Sequence, residues 1–265
     1  MTSGTKKAPG TAITPPATAT AIAVTNVPSA DLTEATAGDN NLGISNRPED
    51  QSISQLGQLQ ALSPQCDPNA AEYIDGAQSG DYVIRDLNKL FKGTVGLTVL
   101  HCGQIRTKSE FMPDRQGFVA RWTTDPPDIE TRIDDGKRWP TQVRKSTGNL
   151  LIDTVEVYLV AEGTPCVFFC SSTKIQFARR WQSWMGQPQF INPRTQRLMP
   201  SYARRYRLYS VSDSNARGRW STPKFEDLGW ADPKSQEFLA ARAFAKLVAG
   251  GALRIAGDVD SLDAA

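Results

Sequence analysis

Histidine is almost absent from this chain: His101 is the only one in 265 residues. The commonest general acid–base group is therefore nearly missing. His101 lies in the apolar run Leu97-Thr-Val-Leu-His-Cys102, which predicts a satisfied core or rim histidine rather than a catalytic one. The sequence holds no G-x-x-x-x-G-K-[ST] loop, G-x-S-x-G elbow or H-E-x-x-H helix, which removes the common ATPase, hydrolase and metalloprotease signatures. The chain is not read as an enzyme, and no cofactor is expected. Long apolar runs are also lacking, so no membrane span is expected. Met1–Gly10 carries Lys6 and Lys7 but no apolar stretch of signal-peptide type. Cysteine is scarce, and Cys166 and Cys170 flank Val167-Phe-Phe169. That setting predicts reduced core thiols rather than zinc ligands.

The carboxylates Asp125, Asp128, Glu130, Asp134 and Asp135 cluster in a Pro-rich polar stretch. Such a group could hold Mg²⁺ for a nuclease. Arg132, Lys137 and Arg138 are mixed among them, so a long solvated loop is the preferred reading.

Residues 1–45 are rich in Thr, Ala, Pro and Gly without periodicity, the signature of a disordered arm. Residues 46–256 are expected to form one nucleic-acid-binding domain. The spacing of Ile53, Leu56 and Leu59 predicts a helix over Gln51–Leu62. Tyr82–Ile84, Leu97–His101, Phe118–Trp122, Leu151–Val160 and Cys166–Cys170 read as strands, the last two joined as a hairpin. Ile175, Ala178, Trp181 and Met185 predict a helix from Thr173 to Gly186. Arg204–Val211 and Arg219–Ser221 read as strands, and Ser235–Val248 as a helix closed at Gly250-Gly251. The fold class is mainly β with a few helices (α+β), a closed or partly closed small OB-like barrel.

Net charge is only +2, yet it is unevenly spread. Residues 171–220 hold ten bases, nine of them Arg, against the single acid Asp213, a net +9. Phe177, Trp181, Trp184, Phe190, Tyr202, Tyr206, Tyr209 and Trp220 are interleaved with them. Cations track a phosphate backbone and exposed rings stack unpaired bases, so the pattern favours single strands over duplex. The candidate contact set is Lys174, Arg179, Arg180, Trp184, Arg204, Arg205, Arg207, Tyr209, Arg217, Arg219 and Trp220. Trp181, at helical spacing, is read as core. Strand alternation puts Arg205, Arg207 and Tyr209 on one face, away from Tyr206 and Leu208.

Gln60-Ala-Leu-Ser-Pro-Gln65, Tyr73-Ile-Asp-Gly-Ala-Gln-Ser-Gly-Asp81, Gly93-Thr-Val-Gly-Leu97, Thr147-Gly-Asn149, Ser172-Thr173, Arg179-Arg-Trp-Gln-Ser183 and Asn215-Ala-Arg-Gly-Arg-Trp220 resemble stretches of phage-encoded single-stranded DNA-binding-like replication and recombination proteins. The resemblance implies a phage origin, an OB-like barrel and the cytoplasm of an infected bacterium, and it carries over no individual binding residue. The acidic tail 257–265, with Asp258, Asp260 and Asp263, fits either recruitment of replication or recombination proteins or a plain solvated end. It lacks the terminal aromatic often found in such tails.

The expected function is coating of single-stranded DNA, with Arg on phosphate and aromatics on bases. A strand-annealing recombinase that oligomerises, and a virion or structural protein with a basic DNA- or subunit-facing surface, stay open as alternatives.

Overall fold

The computed structural model of the protein describes residues 52–113, 117–134, 140–215, 218–251 and 254–255. All of them fall in the unit spanning residues 45–265. The arm expected over 1–45 and the tail over 257–265 lie outside the described residues.

The molecule is mostly β. Strands β1 (Ser52–Gln58), β2 (Tyr82–Ile84), β3 (Lys89–Phe91), β4 (Leu97–Phe111), β8 (Leu150–Ala161), β9 (Thr164–Ser171), β10 (Arg204–Asn215) and β11 (Gly218–Trp230) form a curled sheet in the order β11-β10-β4-β8-β9-β1-β2-β3. Short strands β5 (Phe118–Trp122), β6 (Ile129–Arg132), β7 (Thr141–Arg144) and β12 (Arg254–Ile255) attach at its margins. The end strands β11 and β3 share no ladder, so the sheet is an open half-barrel. The polar stretch expected as one long loop carries β6 and β7, paired antiparallel. No described helix is long and apolar enough to cross a membrane.

Helix α1 (Lys174–Met185) packs on one face of the sheet and α2 (Gln236–Gly250) on the other. Under α1, Phe177, Ala178 and Trp181 meet Tyr82, Leu97, Val157, Leu159, Phe168, Tyr206 and Leu208. Trp181 stacks on Phe225 at 5.3 Å, a core position as expected. Under α2, Ala241, Phe244 and Val248 meet Ile53, Leu100, Tyr158, Val160 and Val167. Ser235 caps α2 by accepting from the Phe238 amide at 3.2 Å, and Gly251 closes it at φ 72°.

Helices on both faces explain the misread first strand. The residues expected as a helix over Gln51–Leu62 form β1 instead. In a strand, residues three apart point to opposite faces. Ile53 enters the α2-side core and Leu56 the α1-side core. A doubly covered strand thus shows the same three-residue spacing as a helix. The same cover buries Val155–Ala161 of β8 continuously, including Glu156.

The half-barrel is drawn shut at one end by bonds outside any ladder. Asp81, 5 % exposed, accepts from the Gly93 amide (2.9 Å), the Gln78 amide (3.1 Å) and Lys92 Nζ (2.9 Å). The Ser210 amide donates to Gly93 O at 2.8 Å, Ser210 Oγ to Gly80 O at 2.6 Å, and Tyr82 Oη to Tyr209 O at 2.9 Å. The Gln60 amide brackets edge residue Ser221, accepting from its N–H at 3.0 Å and donating to its C=O at 3.1 Å. A Cβ on Gly93 would fall 1.9 Å from Gly80 O, an overlap that forces the seam apart. Gly93→Ala is expected to cost about 3 kcal/mol or more of unfolding free energy in a urea titration. Gly186→Ala, whose Cβ meets only ordinary contacts, should cost far less.

His101 is 2 % exposed and edge-on to Trp181 at 5.1 Å. It was expected to be satisfied. Neither ring nitrogen makes a well-formed hydrogen bond among the described residues, and the Gln104 side chain gives it only partial support against burial. Burial lowers its pKa to about 4, against an ordinary value near 6.5. Between those values the unfolded chain takes up a proton that the fold refuses, so stability rises with pH there. Stability is expected to fall by about 3 kcal/mol between pH 6.5 and pH 4 from this group. His101→Phe should flatten that part of the slope when unfolding is followed across pH.

The thiols follow their burial: Cys102, Cys166 and Cys170 are buried and free, and burial pushes Cys166 and Cys170 up to about 12.

Candidate nucleic-acid interface

A groove of about 600 Å³ runs between the first turns of α1 and the edge strand β11. Lys174 and Arg180 line it from α1, Trp220 and Lys224 from β11, and Asp213 from β10. Gln60, Phe177, Pro223 and Phe225 complete much of the rest. The hairpin places these groups because Asp213 pairs in register with Trp220 and Tyr209 with Lys224. None of Lys174, Arg180 and Lys224 makes an ion pair among the described residues. Lys174 lies 5.4 Å over the Phe168 ring. Burial lowers its pKa, with the nearby Arg85 acting in the same direction. A half-buried, uncompensated ammonium gains from any anion that enters.

The remaining candidates are spread over other surfaces. Arg204 donates to Asp227 from Nη2 at 2.6 Å and from Nε at 2.9 Å, and its guanidinium lies 4.6 Å from the Phe190 ring and 4.5 Å from the Trp230 ring. It is a packing cation. Trp184 is half-buried and edge-on to Phe190 at 6.2 Å. Arg205 and Arg207 are exposed and Tyr209 half-buried, while Tyr206 and Leu208 are in the core, so the strand alternates as expected. Arg207, however, is ion-paired with Glu226. Arg205, Arg207 and Tyr209 face away from the α1-side core and do not line the groove. Arg179 is exposed on α1. Arg219 lines a neighbouring hollow of about 360 Å³ with Lys92, Ser212 and Trp220. Arg217 lies outside the described residues.

Lys224, Gln60 and Asp213 were missed as site residues. Lys224 carried a signal, a base in a β-rich stretch just past Trp220, but lay beyond the strand expected to end at Ser221. Gln60 carried none. Glu226 and Asp227, which neutralise Arg207 and Arg204, also lie past residue 220.

The acidic loop does not converge. Asp128 is bound by Arg144 (2.5 Å) and the Ser146 amide (3.0 Å), Asp125 lies 3.6 Å from Lys108, and Asp134 is 2.8 Å from Arg132. Among the described residues no three His, Cys, Asp or Glu side chains group as metal ligands.

The fold and groove define a half-barrel β protein with a basic, aromatic-sided cleft at an open sheet edge. The family model for Pam3 phage gp34-like proteins matches residues 23–254, and the chain belongs to that phage family. No curated protein and no solved structure matches it.

Placement separates packing residues from groove residues. Arg204→Ala is expected to lower unfolding free energy by about 2 kcal/mol, through the loss of the Asp227 pair and two ring contacts. Arg180→Ala should leave the urea midpoint unchanged.

Proposed function

We propose that the protein binds single-stranded DNA in the groove between α1 and β11. The observation that carries this reading is the convergence there of Lys174, Arg180 and Lys224, none ion-paired among the described residues, beside the Trp220 indole. Three cations along a cleft suit a phosphate backbone, and an indole at its wall suits an unstacked base. Asp213 is the one acid in the lining, so the local charge favours a polyanion. In a phage, such a protein would coat strands during replication or recombination without chemistry of its own.

A second reading rests on a different observation. Ile191 (40 % exposed), Leu198 (56 %) and Trp230 (50 %) are large apolar residues left open around Phe190, and Ile191 and Leu198 face each other across an isolated bridge. Exposed apolar groups of this kind suit a subunit contact, as in a virion or structural protein.

Fluorescence anisotropy of labelled dT oligomers against duplex of equal length, over a salt series, separates the two. Strand coating predicts preference for the oligomer and affinity that falls as salt rises. The double charge reversal Arg180→Glu, Lys224→Glu should weaken binding by about a hundredfold, and Trp220→Ala should cost about 1–3 kcal/mol. Equal or absent binding of both nucleic acids supports the subunit reading. Accelerated pairing of complementary strands would extend the first reading to a strand-annealing recombinase.

A further inference from the structure

The sheet face covered by α2 continues past that helix into a second cavity of about 470 Å³, within the usual range for small-molecule sites. It spans five adjacent strands: Phe118 and Arg121 come from β5, Ser109 and Phe111 from β4, Ile152 and Thr154 from β8, Phe169 and Ser171 from β9, and Gln55 from β1. Arg85, which follows β2, stands at its margin.

Under α2 this face is lined by Leu100, Tyr158, Val160 and Val167. Beyond the helix it changes to hydroxyls, with Thr154 directly opposite Ser171. Thr154 and Ser109 are 3 % and 9 % exposed, although no helix among the described residues lines the cavity above them. Their hydrogen bonds are long: Ser109 Oγ to Thr154 Oγ1 at 3.3 Å, and Thr154 Oγ1 to Ile152 O at 3.3 Å. Buried hydroxyls with acceptor capacity to spare favour a polar occupant.

The two guanidinium groups differ. Arg121 is committed to the fully buried Glu156, which also accepts from Thr107 at 2.9 Å and Tyr158 at 2.8 Å. Arg85 is exposed and makes no ion pair among the described residues. Gly57 leaves room for it, since a Cβ there would stand 3.4 Å from Arg85 Nε. The cavity therefore presents one uncancelled cation, a floor of hydroxyls and three phenyl rings.

We propose that this cavity binds a single nucleotide. The planar base lies against Phe111, Phe118 and Phe169, the phosphate meets Arg85, and the sugar or base edge bonds Ser109, Thr154 and Ser171. Rings alone would suit any apolar body, and Arg85 alone any anion. Rings, hydroxyls and a marginal guanidinium together match the three parts of a nucleotide. The inference does not rest on the groove reading, since the cavity lies on the α2 side of the sheet and is read with mononucleotides, while Arg85 also stands near Lys174.

Isothermal titration calorimetry of the full chain with dTMP, AMP, thymidine and inorganic phosphate tests it. Binding of dTMP or AMP is expected at sub-millimolar concentration. Thymidine should bind at least about tenfold more weakly, and Arg85→Ala should lose a similar factor for dTMP. Ser171→Ala, at a half-buried position that tolerates truncation, should weaken dTMP binding, whereas Arg180→Ala should leave it unchanged. Absence of heat with both mononucleotides at millimolar concentration overturns the proposal. So does wild-type affinity in Arg85→Ala, or phosphate alone binding as well as dTMP. The source is read from a dT oligomer: affinity that falls in Arg85→Ala identifies a nucleotide of a strand, and unchanged affinity identifies a free nucleotide. Either result keeps the nucleotide site.

Discussion

The architecture depends on the contact between Gly93 and Gly80. An open sheet curled this far has two free edges, and here they are joined by a seam rather than a ladder. Asp81 holds the Gly93 amide and Lys92 on one side, and Ser210 ties β10 to Gly80 and Gly93 on the other. The approach is so close that no side chain fits at Gly93. From that closure follows the position of β11, and from β11 the groove. Gln60 occupies the β11 edge at Ser221 as a strand would, which limits further edge pairing there.

Charge in this protein is arranged by hairpin register. The excess of bases in 171–220 is real, but β10 and β11 pair antiparallel, which brings Glu226 to Arg207 and Asp227 to Arg204. Two of the strongest-looking cations are thereby neutralised. The uncancelled cations lie elsewhere, at the start of α1 and at Lys224. What distinguishes the groove is the absence of local partners rather than the density of Arg. The same distinction separates Arg85 from Arg121 on the opposite face, where Glu156 consumes one guanidinium and leaves the other.

The aromatic residues divide along similar lines. Phe177, Trp181, Phe190 and Tyr206 are buried, and they fasten α1 and β11 to the sheet through edge and stacked contacts. Trp220 reaches the groove from β11, where Phe177 and Phe225 also line the wall. Burying His101 against Trp181 leaves a titratable group poorly compensated among the described residues, so the α1 packing is tied to pH as well as to shape.

Much of the fold was legible in the sequence. The β-branched runs, the turn at Glu162-Gly163 with both residues at positive φ, the helix around Trp181 and the Ser235 cap are local signals, and local signals act through neighbouring residues. The side to which Arg205 and Tyr206 point also followed from strand alternation alone. The spacing of Ile53, Leu56 and Leu59 misled, because it serves a helix and a doubly covered strand equally. Lys224, Gln60 and the acids that cancel Arg204 and Arg207 were beyond a sequence window. The sequence by itself determined most of the strands, both helices α1 and α2 and where positive charge is concentrated. Tertiary structure alone decided which charges remain free, because ion pairs among the described residues join positions up to 47 apart and Coulomb attraction acts on distance in space, not along the chain.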